Sequence, residues 1–293
     1  SLTLDISKRE FFIKDKNSPW QGNSLFELYK RAYTPWDWHK PIMDYAKKLN
    51  LLCFSSPLDD KAVDFLEDLN TPAYKIASFE NCHLPLIKKV LSTGKPVIIS
   101  TGMATLAELD ETVKIILESD NNNFALLKCT SNYPAIPENS NILTIPHMRD
   151  LFKCEVGFSD HTPGIGASVA AVSHGASIIE KHFTLSRKDG GVDSTFSLEP
   201  DEMNKLVIET ERAWASLGEI KYGSVNEERE SMIFRRSIYI SRDIAKGERL
   251  TEKNMRIIRP GLGLSPKYYD SIKGKQVNRN LKKGTAVNWE IIG

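Results

Sequence analysis

Two stretches decide the fold: Val156-Gly157-Phe158-Ser159-Asp160-His161-Thr162 and Ser177-Ile178-Ile179-Glu180-Lys181-His182-Phe183. Each is a short apolar run that ends in acidic and imidazole side chains. Continuous runs of this length suit strands covered on both faces, as in a parallel sheet. The same unit recurs upstream. Leu51-Leu52-Cys53-Phe54 runs into Ser55-Ser56-Pro57, and Ala73-Tyr74-Lys75-Ile76-Ala77 into Ser78-Phe79-Glu80. Val97-Ile98-Ile99 runs into Ser100-Thr101-Gly102, and Phe124-Ala125-Leu126-Leu127 leads to Thr130-Ser131-Asn132-Tyr133. Helical patterns such as 61–69 and 106–117 lie between them. Polar groups therefore stand at the carboxyl end of every predicted strand. A closed α/β barrel builds its active site on that face, whereas an open doubly wound sheet gathers such groups at its switch point. The pattern predicts a TIM-type (β/α) barrel.

A complete barrel has eight strands, and the apolar runs supply six. Residues 1–50 show no parallel-strand run. They read as an aromatic-rich segment (Phe11, Phe12, Trp20) followed by helices around 24–31 and 36–49. The sequence also opens on Ser1 without an initiator Met, so the expectation is a barrel lacking its first two β-α units. A helix over 200–217 ends a catalytic domain of residues 1–217, and a charged connector spans 218–233. Residues 234–293 form a small β-rich domain with short runs at 237–240, 255–258 and 285–287, punctuated by glycines. Its size is marginal for independent stability.

Composition narrows the function classes. The chain is 41% hydrophobic and 26% charged, ordinary for a globular protein with a sizeable core. Lys and Arg (39) balance Asp and Glu (38), so no global field favours nucleic acid or an anionic membrane. No apolar run approaches the roughly 18 residues of a spanning helix. Cys53, Cys82, Cys129 and Cys154 are scattered without a C-x-x-C pair, which reads as reduced thiols in a cytoplasmic protein rather than a disulfide framework or zinc site.

His161 and His182 stand at adjacent strand ends, each beside an acidic residue, Asp160 and Glu180. Imidazoles so placed suit a first-row divalent metal, with neighbouring carboxylates orienting the rings. Two protein ligands leave positions open for water or substrate. Lys75 sits at a strand end where a buried ammonium calls for an anion. Ser56, Ser78, Ser100 and Ser159 offer a ring of small donors suited to phosphate oxygens. Glu80, two residues past Ser78, is the expected group for substrate positioning or proton transfer.

Across these strand ends the chain resembles the sialic acid synthase family. The resemblance rests on Lys75-Ile76-Ala77-Ser78-Phe79-Glu80, Ser100-Thr101-Gly102-Met103-Ala104, Cys129-Thr130-Ser131-Asn132-Tyr133-Pro134, Gly157-Phe158-Ser159-Asp160-His161-Thr162 and Ile179-Glu180-Lys181-His182-Phe183-Thr184. Arg259-Pro260-Gly261-Leu262-Gly263 is similar to the family's antifreeze-like (SAF) domain. Ala32-Tyr33-Thr34-Pro35-Trp36-Asp37-Trp38-His39 is most similar to the pseudaminic acid branch. The resemblance implies condensation of phosphoenolpyruvate with an N-acetylated sugar. Ser56, Lys75, Ser78, Ser100 and Ser159 would bind phosphoenolpyruvate, and Mn²⁺ on His161 and His182 would polarise the sugar aldehyde. It further implies that Tyr133 and Asp193 contact the sugar. Ser131, where sialic acid synthases proper tend to carry Asn, points to a 6-deoxy, diacetamido substrate of the altrose series. By the same resemblance Arg259 reaches the sugar of a neighbouring subunit, which implies a homodimer. Open alternatives are an N-acetylneuraminate or legionaminate synthase, a catalytically inactive truncated barrel, and a metal-free pyruvate aldolase using Lys75 as a Schiff base.

Overall fold

A computed structural model describes residues 2–16 and 18–293; Ser1 and Asn17 lie outside the described residues. The chain divides into two compact units, Ser1–Gly218 and Glu219–Gly293. The first opens with an irregular segment and two helices, α1 (Leu25–Ala32) and α2 (Trp36–Lys48). From there helices and strands alternate. The order is α3 (Asp60–Asp68), β1 (Tyr74–Ile76), α4 (Leu84–Leu91), β2 (Val97–Ser100), α5 (Leu106–Leu117) and β3 (Phe124–Cys129). It continues with α6 (Thr144–Phe152), β4 (Glu155–Asp160), α7 (Gly166–Ser173), β5 (Ile179–Lys181) and α8 (Pro200–Leu217). All four strand pairings are parallel and sequential, β1-β2-β3-β4-β5, so the sheet is a half-barrel.

Five strands form where six apolar runs are read, and the missing one is Leu51–Phe54. Leu51 and Leu52 are 61% and 81% exposed. Only the next residue joins the sheet, through an isolated parallel bridge from Ser55 to Tyr74. A strand needs backbone partners along its length and cover for its apolar side chains. Among the described residues nothing pairs with the outer edge of this run, so one bridge is all that forms.

The helix layer is anchored by ordinary sequence devices. Thr105 and Glu108 form a capping box at the start of α5, with the Thr105 amide donating to the Glu108 carboxylate at 2.7 Å. The apolar stripes of α3 to α7 bury Leu66, Ile87, Ile116, Ile145 and Ala171 against Ile76, Ile99, Leu126 and Val156 of the strands. Burial of side chains this size contributes roughly 1.5–3 kcal/mol each relative to exposure.

The second unit contains an antiparallel pair, β6 (Ser237–Ile240) and β7 (Met255–Ile258), and one short helix, α9 (Tyr269–Ile272). Its own core gathers Ile238, Ile240, Leu250, Met255, Val277 and Val287. The expected strand at 285–287 contributes a single bridge, Tyr239 to Ala286. Residues of the connector form 3₁₀ turns, Asn226–Glu228 and Glu230–Phe234, and fall within this unit. Gly263 is required by close approach, since a Cβ there would stand 2.6 Å from the Ile238 carbonyl oxygen.

Candidate active site

Strand alternation sorts the polar residues from the core. Tyr74, Ile76, Val97, Ile99, Leu126, Val156 and Phe158 turn toward the helices. The opposite parity carries Lys75, Ser100, Cys129, Ser159 and Glu180 to the other face, where they line a cavity of about 340 Å³. Ser56, Ala77, Ser78, Tyr133, His161, Lys181 and His182 complete its wall. The strand ends therefore converge as a barrel face should.

Lys75 is the buried cation of this cavity. Its Nζ donates to Ser100 Oγ at 2.7 Å and to the Ile76 carbonyl at 3.1 Å, and lies 3.5 Å from Glu180 Oε2. Burial lowers its pKa, with the Glu180 carboxylate working in the opposite direction. Glu180 also accepts from Ser159 Oγ at 2.7 Å. A lysine, a glutamate and two serines from four strands are thus tied into one network. Ser78 Oγ accepts from the Gly102 amide at 3.2 Å. Gly102 has to be glycine, because a Cβ would meet Ser131 Oγ at 2.1 Å and Ser78 Oγ at 2.7 Å.

The two histidines face one another across this network, with ring centroids 5.2 Å apart. His161 Nδ1 lies 2.9 Å from the Thr130 carbonyl oxygen, a geometry that fixes the proton on Nδ1 and leaves the Nε2 lone pair free. His182 Nδ1 lies 3.5 Å from Asp193 Oδ2. His161 therefore has its Nδ1 committed to a carbonyl and His182 Nδ1 faces a carboxylate, the kind of partners that hold metal-ligating histidines. Among the described residues no group of three or more His, Cys, Asp or Glu gathers around a common point. The donor chemistry fits a divalent ion bound by two imidazoles with the rest of its coordination left to water and substrate. Burial works against the charged form of His161, but Cys129, the Thr130 carbonyl and Glu180 outweigh it and raise the pKa. Burial and the adjacent His161 lower that of His182.

An aromatic wall stands on the histidine side. The Tyr133 ring lies 4.3 Å from His161 and 5.9 Å from His182, centroid to centroid. Phe196 packs against His182 and Tyr133, and Trp20 against Tyr133 and Phe196. Trp20 Nε1 donates to the Val192 carbonyl at 2.8 Å, which pins the N-terminal segment beside Asp193. Burial pushes the Tyr133 hydroxyl well above its usual range and keeps it protonated.

The residues expected from sequence fall into three groups. Ser56, Lys75, Ser78, Ser100, Tyr133, Ser159, His161 and His182 share the cavity. Glu80, Ser131 and Asp193 stand around it. Glu80 is half-buried on the turn Ser78–Glu80, where burial raises its carboxyl despite His83 and Lys75, and Ser131 approaches Gly102 and Cys129. Arg259 belongs to the second unit, exposed on the residue after β7. Sequence reading undervalued Glu180, treating it as a neighbour of His182. Its position on β5, two residues before His182, places it on the face that His182 continues, a signal the period of two already carried. Cys129 is a cavity residue by the same parity. Burial raises its thiol pKa, but the His161, Ser78 and Ser159 hydrogen bonds prevail and lower it. Trp20 and Phe196 carried no local signal, because tertiary contacts alone bring them here.

Comparison with known proteins gives the family. Residues 2–222 match the NeuB family and residues 235–292 the SAF domain. Pseudaminic acid synthase of Campylobacter jejuni is 40% identical over 98% of this chain and 83% of its own length. N,N'-diacetyllegionaminic acid synthase of the same species is 36% identical, over 92% of this chain and 84% of its own. The crystal structure of the spore coat polysaccharide biosynthesis protein SpsE from Bacillus subtilis superposes with a TM-score of 0.61 at 32% identity, covering 97% of this chain and 84% of that one. The chain belongs to the NeuB family, the sialic acid synthases that its strand-end segments resemble.

Proposed function

We propose that the chain condenses phosphoenolpyruvate with a diacetamido trideoxy hexose to give pseudaminic acid and phosphate. The observation that carries this reading is the polar network Lys75–Ser100–Glu180–Ser159 lying in one cavity with the His161–His182 pair. Lys75 would neutralise the phosphoenolpyruvate anion, a charge-assisted contact stronger than a neutral one. Ser78, Ser100 and Ser159 would orient its oxygens so that C3 faces the sugar aldehyde. Carbon–carbon bond formation at C3 leaves C2 electron-poor. Water then adds at C2, giving its proton to a carboxylate, and loss of phosphate by C–O cleavage follows. Glu180 is the carboxylate in the cavity itself, and Glu80, whose raised pKa suits it to hold a proton, is the nearby acid. Tyr133, kept protonated by burial, would donate to the sugar, and Asp193 would orient His182. A divalent ion held by His161 and His182, which we propose to be Mn²⁺, supplies Lewis-acid polarisation of the aldehyde when bound. Positioning and preorganised charge would provide most of the acceleration.

The same reading includes a homodimer in which Arg259 serves the neighbouring sugar. It also includes a cytoplasmic location, supported by four free cysteines with no disulfide. Among the described residues no helix is long and apolar enough to cross a membrane. A side-by-side assay with the pseudaminate, legionaminate and N-acetylneuraminate precursor sugars tests the substrate. The expected result is the highest kcat/KM with the pseudaminate precursor; preference for another sugar would overturn that assignment.

A further inference from the structure

Beside the histidines lies an ion pair that the proposed chemistry does not use; Lys181 contributes to the cavity lining, but its ammonium is paired with Asp160. Lys181 Nζ stands 2.9 Å from Asp160 Oδ2, and the two side chains are 2% and 0% exposed. Asp160 shares the parity of Val156 and Phe158, so its carboxylate points into the wall and away from the cavity. Burying two charges this completely is expensive, and a buried pair is weak support for stability. Its position says more. Asp160 and Lys181 are partners in the β4–β5 register, and each immediately precedes one of the two histidines. Asp160 Oδ1 accepts from the Thr162 amide at 2.8 Å, and Lys181 Nζ donates to the Thr162 carbonyl. The pair therefore grips both backbone polar groups of the residue that follows His161. Ser168 Oγ of α7 donates to Asp160 Oδ2 at 2.7 Å and locks the carboxylate from behind. On the other side the His161 carbonyl accepts from the Ala135 amide at 3.0 Å.

We infer that Asp160 and Lys181 are positioning residues: their buried ion pair ties the β4 and β5 ends together and fixes the spacing of His161 and His182 for metal binding. A shift of a few tenths of an ångström between these strand ends moves both donor atoms at once. Packing alone, with apolar side chains in place of the pair, would hold the strands but leave the turn at Thr162 without its two anchors. The inference rests on the metal reading given above. It concerns the geometry of the donors and not the identity of the sugar.

The test is a Mn²⁺ titration of the full chain, with free ion read by electron paramagnetic resonance and folding read by circular dichroism. Asp160→Leu/Lys181→Met replaces the pair by apolar residues, a change that is often neutral or stabilising in other proteins. The melting temperature is expected to hold while Mn²⁺ affinity falls about 10- to 100-fold, the usual cost of losing partners behind metal ligands. Phosphoenolpyruvate affinity in the same samples is expected to hold. A folded double variant that binds Mn²⁺ as tightly as the unsubstituted chain would overturn the inference. If the double variant does not fold, Ser168→Ala decides, since it removes one hydroxyl from Asp160 and leaves the pair in place. Weaker Mn²⁺ binding supports the role, and unchanged binding overturns it. An unsubstituted chain that binds no Mn²⁺ would overturn the metal reading itself, a result distinct from either.

Discussion

Replacing Lys75 with methionine should separate stability from substrate affinity. The lysine side chain is 10% exposed and its nearest acid, Glu180, is 41% exposed. Solvent therefore screens the carboxylate, and the pair offsets only part of the cost of burying the ammonium. Methionine has a similar length, keeps the packing and removes that cost, and Glu180 retains Ser159, but the Ser100 hydroxyl and the Ile76 carbonyl lose their donor. The relief of burying the ammonium and the loss of its two donated bonds offset each other, so the expected change in stability lies within about 1 kcal/mol of zero. For a chain of this size that corresponds to a melting temperature within about 2–4 °C of the unsubstituted chain. Binding of phosphoenolpyruvate loses a charge-assisted contact worth about 1.5–3 kcal/mol, or roughly 10- to 100-fold in Kd. Scanning calorimetry and isothermal titration on the same preparation measure both. A melting temperature that falls by several degrees with phosphoenolpyruvate affinity intact would refute the reasoning, since Lys75 would then be a structural cation.

Glu180→Gln should lower kcat by about 10²-fold or more, the range for loss of a proton-transfer group, with a smaller effect on the KM for phosphoenolpyruvate; steady-state kinetics separates the two. Burial lowers the Lys75 pKa, so the ammonium loses its proton as pH rises through a value below the ordinary lysine range. The KM for phosphoenolpyruvate should accordingly climb on the alkaline side earlier than a free lysine would allow, and Lys75→Arg should abolish that limb even if it binds less well. EDTA should remove activity and Mn²⁺ should restore it, with circular dichroism unchanged, because strand pairing and the Asp160–Lys181 pair hold the β4 and β5 ends together without the ion. Gly102→Ala should abolish phosphoenolpyruvate binding, because its Cβ would push Ser131 and Ser78 out of place; titration calorimetry measures it.

The sequence carried most of the first unit because its signals are local. Apolar runs at 74–76, 97–100, 124–129, 155–160 and 179–181 form strands, and the residues at their ends reach one cavity. The run at Leu51–Phe54 has the same composition and forms no strand, because a strand depends on a neighbour that composition does not reveal. The site was legible where residue type and strand end coincide, as for Lys75, Ser100, Ser159 and the two histidines. It was less legible where parity decides. Glu180 and Cys129 line the cavity while Asp160 does not, although Glu180 and Asp160 both flank a histidine. Trp20 meets Tyr133, Phe196 and the Val192 carbonyl across long sequence separations, so no window of sequence could show it.

The most direct test is single-turnover phosphate release, followed by mass spectrometry of the product. The protein is mixed with phosphoenolpyruvate, the diacetamido trideoxy hexose and Mn²⁺, and compared with its Lys75→Met and His161→Ala variants. The account predicts phosphate and a nine-carbon acid in equal amounts from the unsubstituted protein, only when the sugar is present, and a large loss of both in each variant. Phosphate released at the same rate without the sugar, or product formed equally well by the variants, would contradict it.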